Sequence, residues 1–276
     1  MWSMKKGVSF LSVALLAALV SLPSYAGGMS KLNVPYSALQ ELAVTEPDAT
    51  IEYGKDPLQV IYQYGELSEA KRAVVFIHGG CWLNAYDIKH SVGWMTHLAA
   101  EGLTVFGIEY RRTGDQGGGW PGSRDDIVTA LDTLHTRFTN ERYPEKVFLA
   151  GHSAGGHLAL LASEDTDLQL DKVIGLAAIT DVKLYSQGTN SCQQATPAFM
   201  GGTPMERPSA YQSAQPKVSK QSGQTLLMQG TADAIVPAVH AELAGSQKII
   251  VEGAGHFDWL HPQSQAFNEF YEQVKQ

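Results

Sequence analysis

The chain is short of cysteine: Cys81 and Cys192 are the only two among 276 residues. Two sulfurs exclude a disulfide framework of the kind that staples small secreted domains. An even count permits one bridge in an oxidising compartment. The simpler reading is two unpaired thiols, with Cys81 a packing residue and not a nucleophile. Charge is sparse as well, at 17% of residues, and 20 basic side chains face 28 acidic ones. That shortage of positive charge argues against nucleic acid or an anionic lipid surface as partner. His90, His97 and His261 lack the spacing of zinc ligands, so no metal is expected, and nothing points to another cofactor. No lysine follows the glycine-rich turn at 151–156, which removes a phosphate-binding loop from consideration.

Long apolar runs are missing after the N-terminus, so no second membrane span is expected. The first 26 residues differ from the rest. Lys5 and Lys6 precede the apolar run "GVSFLSVALLAALVSL", and Ser24 and Ala26 supply small residues before Gly27. This pattern predicts a secretory signal peptide over 1–26, and therefore export to the periplasm or the extracellular medium. The alternative is an uncleaved anchor, but the run is short for a span and broken by serines. No cysteine lies near the expected cut for lipid attachment. With Lys5 and Lys6 removed, 18 of the 20 basic side chains remain against 28 acidic ones, a formal charge of −10.

Residues 27–276 suit one large domain with a sizeable core. Apolar runs of strand length recur at 58–64, 73–77, 103–108, 146–150, 172–179, 225–229 and 247–251. Several are continuous, as in strands buried on both faces of a mostly parallel sheet. Helical periodicity separates them. In "SRDDIVTALDTLHTRF", Ile127, Leu131, Leu134 and Phe138 share a face, and Ser123 is available as an N-cap. Residues 91–102 and 264–276 read similarly. The alternation predicts a three-layer α/β fold, with helices on both faces of the sheet. Residues 181–220 break the pattern. They are rich in Gly, Pro, Ser and Gln, and read as a cap-like excursion with one or two short helices.

The stretch "KVFLAGHSAGGHLALLAS" (146–163) runs a strand into a tight turn and then a helix. Gly151-His152-Ser153-Ala154-Gly155 fits a nucleophile elbow in the setting that motif requires. Its serine needs a strained, positive-φ position with tiny neighbours. A packing turn is the plain alternative. A serine hydroxyl needs a base, and the base needs an orienting carboxylate. Asp233 follows one strand in "TLLMQGTADAIVP", and His256 follows the next in "KIIVEGAGHFDWL". Rival readings make Asp233 a cap for a helix starting near Val236 and His256 a buried loop histidine. Asp181 and Asp258 are rival acids. His152 lies inside the elbow, and His157 is expected to face outward from its helix.

Acyl transfer also needs N–H donors for an oxyanion. The Ala154 amide is one expected donor. Gly79 and Gly80 supply the other, from the loop "HGGCW" that follows an early strand, with His78 as a brace. Trp82 and Trp259 flank these segments. They are candidate substrate-pocket walls, core aromatics being the alternative.

The segments "HGGCW", "EYRR", "WPGSRDDIVTAL", "AGHSAGGHLALL", "GTADAIVP" and "GAGHFDWL" resemble the esterase and lipase branch of the α/β-hydrolase fold. The likeness is closest to carboxylesterases and arylformamidases related to hormone-sensitive lipase, over roughly residues 55–275. The resemblance implies a Ser153–His256–Asp233 triad that cleaves carboxylic esters through an acyl-enzyme, with short acyl groups expected. It implies no cofactor. The substrate is a small molecule or an ester carried on a polysaccharide. Arylformamidases of this type carry a Ser-Gly-x-Tyr-Asp-Leu-like segment after the sixth strand, where this chain has "AAITDVKLY". That departure weakens the formamidase reading. An amidase or peptidase on the same triad, or a binding module that kept the fold, are the other readings.

Overall fold

A computed structural model describes residues 31–218 and 223–276; the segment read as a signal peptide lies outside the described residues. Eight strands form one sheet: β1 (Ala49–Glu52), β2 (Val60–Tyr64), β3 (Arg72–Ile77), β4 (Thr104–Ile108), β5 (Lys146–His152), β6 (Lys172–Leu176), β7 (Thr225–Gly230) and β8 (Gln247–Val251). Their order is β1-β2-β4-β3-β5-β6-β7-β8. β2 runs antiparallel to both its neighbours, β1 and β4, and the six strands from β4 to β8 in that order are mutually parallel. Seven strands fall where apolar runs of strand length predict them. β1 has no such run: its four residues are alternately half-buried and exposed. The run at 172–179 yields a strand only as far as Leu176. There the chain turns at Ala177, with φ of 46°, and the Ala177 amide donates to Met228 O.

The continuous runs alternate between two cores. Val75, Ile77, Phe106, Leu149 and Val173 face the side covered by α3 (Gly122–Asn140) and α4 (Ala154–Ala162). Val74, Phe76, Val105, Phe148 and Ile174 face the side covered by α2 (Val92–Ala100) and α8 (Gln265–Val274). Burial on both faces is why these strands lack polar alternation. Among the described residues, no helix is long and apolar enough to cross a membrane.

Two local expectations are corrected. Ser123 is not the N-cap of α3 but lies inside its first turn. Its hydroxyl donates to Arg111 O at 2.7 Å and accepts from the Gly119 amide. His157 does not face outward. All nine residues of α4 are buried, and the His157 ring donates from Nε2 to Ala214 O at 2.8 Å.

The excursion is also more ordered than its composition predicts. It holds three helices: α5 (Val182–Tyr185), α6 (Ser191–Met200) and α7 (Pro208–Ser213). They are short, and Pro197 interrupts α6, so helical periodicity had little length over which to register. Local capping is well formed nonetheless. Asn190 and Gln193 make reciprocal side-chain bonds at the start of α6, and Gly201 closes it in the left-handed region.

The parallel register decides where chemistry can occur. Ile77 pairs with Gly151, His152 with Leu176, and Gly230 with Val251. The loops that follow β3, β5, β7 and β8 therefore leave along a single edge of the sheet.

Burial holds the His157 and His240 pKa values down to about 4. In the unfolded chain each would bind a proton near the ordinary value of about 6.5. The folded state thus has its full advantage above about pH 6.5 and loses it as pH falls toward about 4, by at most ~1.4 kcal/mol per pH unit per ring. Denaturant midpoints should be lower at about pH 4.5 than at about pH 7. Equal midpoints would contradict this account of the two rings.

Candidate active site

Ser153 joins β5 to α4 with φ of 57° and ψ of −119°, a conformation that L residues rarely adopt. Such backbone costs about 1–3 kcal/mol and persists only where its surroundings over-determine it. The surroundings here are glycines. A Cβ at Gly151 would lie 2.3 Å from Gly155 O, and one at Gly155 only 2.2 Å from Ile77 O. The Ser153 amide is pinned to Leu176 O at 2.9 Å.

Asp233 and His256 stand in the loops after β7 and β8. His256 donates from Nδ1 to Asp233 Oδ2 at 2.8 Å. The carboxylate is almost fully enclosed. Its Oδ1 accepts from the Ile235 and Val236 amides, each at 2.8 Å, and its Oδ2 also accepts from Gln229 Nε2 at 3.1 Å. Asp233 is thus both a turn residue and the partner of the imidazole. Burial alone would raise its pKa. The His256 ring and the two amides outweigh burial and hold the carboxyl below its ordinary value. With Nδ1 committed to the carboxylate, Nε2 is the nitrogen left to face the pocket.

Ser153 and His256 line the same cavity, of about 260 Å³. Among the described hydrogen bonds there is none between hydroxyl and imidazole, a looseness common before substrate binds. The rival acids are occupied elsewhere. Asp258 accepts from the amides of Asn33 and Val34, tying down the N-terminal segment, and Asp181 caps α5. His152 is buried behind the pair. Its ring donates from Nε2 to His256 O at 2.9 Å and packs on the His256 ring at 4.6 Å. Burial, then the proximity of His256, keeps its pKa well below the ordinary value, so it is neutral.

Gly80 lines the cavity beside Ser153. Gly79 packs on the elbow, and a Cβ there would lie 2.9 Å from His152 O and 3.1 Å from Ser153 Cβ. Ala154 begins α4. Among the described residues, the amides of Gly79, Gly80 and Ala154 have no protein acceptor, which leaves them available to an oxygen in the cavity. His78 supports the loop from beneath. Its Nδ1 lies 2.7 Å from Gly79 O and its Nε2 3.0 Å from Glu109 Oε1. Burial would raise the Glu109 pKa, but His78 and Arg112 overcome it and hold the carboxyl at about 2. Within "EYRR", Glu109 is thus the partner of His78 and Arg112 the partner of Glu109, while Arg111 pairs with Asp126.

Two expectations fail here. Trp82 and Trp259 are fully buried and do not line the cavity. Trp82 stacks on Phe199 at 4.6 Å, and Trp259 belongs to the core beneath α8. Their indoles fit the interdigitated cores better than an open wall. The walls are instead Tyr36, Tyr86 and Phe257, with Tyr36 edge-on to both others. Tyr36 comes from the short helix Tyr36–Leu39, far away in sequence, and no motif marks it. The cysteines are not unpaired thiols either. Cys81 and Cys192 are joined, with Cα atoms 5.0 Å apart, and both line the cavity.

The sequence pattern of the BD-FAE family matches residues 60–247. The chain belongs to the BD-FAE family. It is 28% identical over 210 residues to the kynurenine formamidase of Meyerozyma guilliermondii, covering 70% of this chain and 77% of that one. Esterase B from Lactobacillus rhamnosis (HN001) superposes with a TM-score of 0.66 at 17% identity, covering 87% of this chain and 89% of that one. A truncated carbohydrate esterase from gut microbiota gives 0.66 at 19%, covering 85% and 98%. An esterase from Pyrobaculum calidifontis gives 0.63 at 16%, covering 87% and 85%. The fold is that of the α/β hydrolases.

The elbow predicts its own intolerance. Gly155→Ala sets a methyl against two backbone carbonyls, those of Ile77 and His78, which cannot swing aside. Overpacking of this kind costs about 1–3 kcal/mol or more. The melting temperature should fall by roughly 5 °C or more. An unchanged melting temperature would mean the elbow has room that this packing denies.

Proposed function

We propose that the chain is an exported serine hydrolase of carboxylic esters with short acyl groups. Ser153 is the nucleophile, His256 the base and Asp233 the orienting acid. One observation carries the reading: the Asp233–His256 hydrogen bond opens onto the same small cavity as a serine held at positive φ. A serine merely capping a helix has no need of that conformation, or of a buried imidazole–carboxylate pair beside it.

The chemistry follows. The Ser153 oxygen attacks the ester carbonyl while His256 Nε2 takes its proton. The carbonyl oxygen becomes an oxyanion and is received by the amides of Gly80 and Ala154, with Gly79 behind them. The imidazolium gives its proton to the leaving alkoxide, and an acyl-enzyme remains. Water repeats the sequence and frees Ser153. Asp233 keeps the proton on His256 Nδ1 and steadies the cation at the moment it forms. Its low pKa ensures that it is charged throughout the neutral range.

The cavity of about 260 Å³ supports a short acyl chain, since pockets for larger ligands run from about 300 to 1,000 Å³. The N-terminal basic–apolar–small pattern supports export, and the Cys81–Cys192 bridge suits an oxidising compartment. The alcohol portion of the ester is a small molecule or a polysaccharide. A second reading, an aryl formamidase on the same triad, is favoured by the sequence likeness to a kynurenine formamidase and by the aromatic walls Tyr36, Tyr86 and Phe257. "AAITDVKLY" stands against it.

Steady-state kinetics on nitrophenyl esters and an N-formyl aryl amine test both readings. Acetate and butyrate esters should exceed the decanoate in kcat/KM. Ser153→Ala should abolish turnover, and Asp233→Asn should cut kcat by about 10⁴. Retained turnover in Ser153→Ala would end the proposal, and a formamide preference would favour the second reading. On secretion from cells carrying the full-length gene, the mature chain should begin at Gly27. An intact N-terminus on a membrane-bound product would exclude export by cleavage.

A further inference from the structure

Three consecutive residues after β3 have positive φ: Gly80 at 116°, Cys81 at 55° and Trp82 at 58°. Glycine accounts for the first only. The other two carry side chains in the left-handed region, so contacts outside the loop must hold them there. For Cys81 that contact comes from α6; Trp82 meets α6 as well, and also packs edge-on against His157 and Tyr185 and accepts from the Thr113 amide through its carbonyl. Cys81 is bonded to Cys192 near the start of α6, and Trp82 stacks on Phe199 near its end, with rings 7° from parallel. Cys192 and Phe199 are seven residues apart, two helical turns, and so present one face to the loop.

α6 has anchors of its own. The Asn190 side chain that caps it also donates to Ala234 O and Ile235 O, in the loop that carries Asp233. Phe199 O accepts from the Trp120 amide at 2.8 Å. The helix is therefore a fixed post, and the disulfide ties the oxyanion loop to it immediately after Gly80.

We infer that Cys81 and Cys192 are positioning residues for catalysis: their bridge sets the backbone of the Gly79–Cys81 loop, and with it the Gly80 amide, against the nucleophile. This rests on the hydrolase reading above. The competing account is purely structural, since a crosslink between residues 111 apart also restrains the unfolded chain. The two accounts differ in what is lost when the bond opens. Freed from Cys192, Cys81 can relax toward negative φ and carry the Gly80 amide out of line, while α6 stays on its other anchors. An oxyanion donor acts on the transition state, so its displacement lowers kcat and leaves KM nearly unchanged.

The test compares the oxidised wild type, the wild type reduced while folded with a phosphine, and Cys192→Ser, all well below their melting temperatures. The substrate is a nitrophenyl acetate or butyrate. A trifluoromethyl ketone, whose serine adduct places a negative oxygen in the oxyanion site, reports on the hole directly. The expected result is a kcat lower by about tenfold or more and ketone binding weakened by a similar factor. KM should change by less than about twofold, and reoxidation of the reduced wild type should restore both losses. Unchanged kcat and ketone affinity with only a lower melting temperature would overturn the inference and leave the hydrolase reading intact. If Cys192→Ser does not fold, the reduced and reoxidised wild type decides alone. Absence of ester turnover in the oxidised wild type would overturn the hydrolase reading, and this inference with it.

Discussion

The site depends on one hydrogen bond, from His256 Nδ1 to Asp233 Oδ2 at 2.8 Å. It spans the loops after two adjacent parallel strands, and its length is set by their register and by how each loop is tied. Asp233 is fixed by three other donors, so the carboxylate does not turn to suit the ring. His256 is held through its backbone by the His152 imidazole. On the proposed reading, everything downstream follows from that fixed orientation: which nitrogen meets Ser153, and where the positive charge forms when the proton moves.

The remaining parts converge on this bond from separate directions. Ser153 is presented by an elbow whose glycines leave no room for side chains. The loop after β3 is carried from below by the buried His78–Glu109–Arg112 group and gripped from above by α6. The excursion between β6 and β7 is thus built into the site rather than laid over it. Its helices touch the loop after β3 through Cys192 and Phe199, the loop of Asp233 through Asn190, and α4 through the carbonyl of Ala214.

Much of this was legible in the sequence, for identifiable reasons. Strands buried on both faces leave continuous apolar runs, and tight turns at strand ends leave glycines. The sheet and its chemical edge could therefore be read directly. The turn at Ser153, the glycine loop after β3 and the places of Asp233 and His256 at strand ends follow from the same logic. What could not be read depends on tertiary approach. Trp82 and Trp259 lie next to site segments in sequence but turn into the core, because a large indole gains more from burial than from lining a small cavity. Tyr36 reaches the pocket from a remote helix that leaves no local signal. The Cys81–Cys192 pairing is set by where α6 docks, and no spacing in the sequence encodes that. The face of α4 that carries His157 is covered by the excursion, whose Ala214 carbonyl takes the ring N–H, and no periodicity within the helix signals that cover.

The most direct test is to treat the intact protein with a fluorophosphonate and map the modified peptide by mass spectrometry. The account predicts a single stoichiometric adduct on the serine of "AGHSAGGHLALL", with labelling greatly slowed in His256→Ala although that variant keeps its fold. An adduct on a different residue, or undiminished labelling without the imidazole, would contradict it.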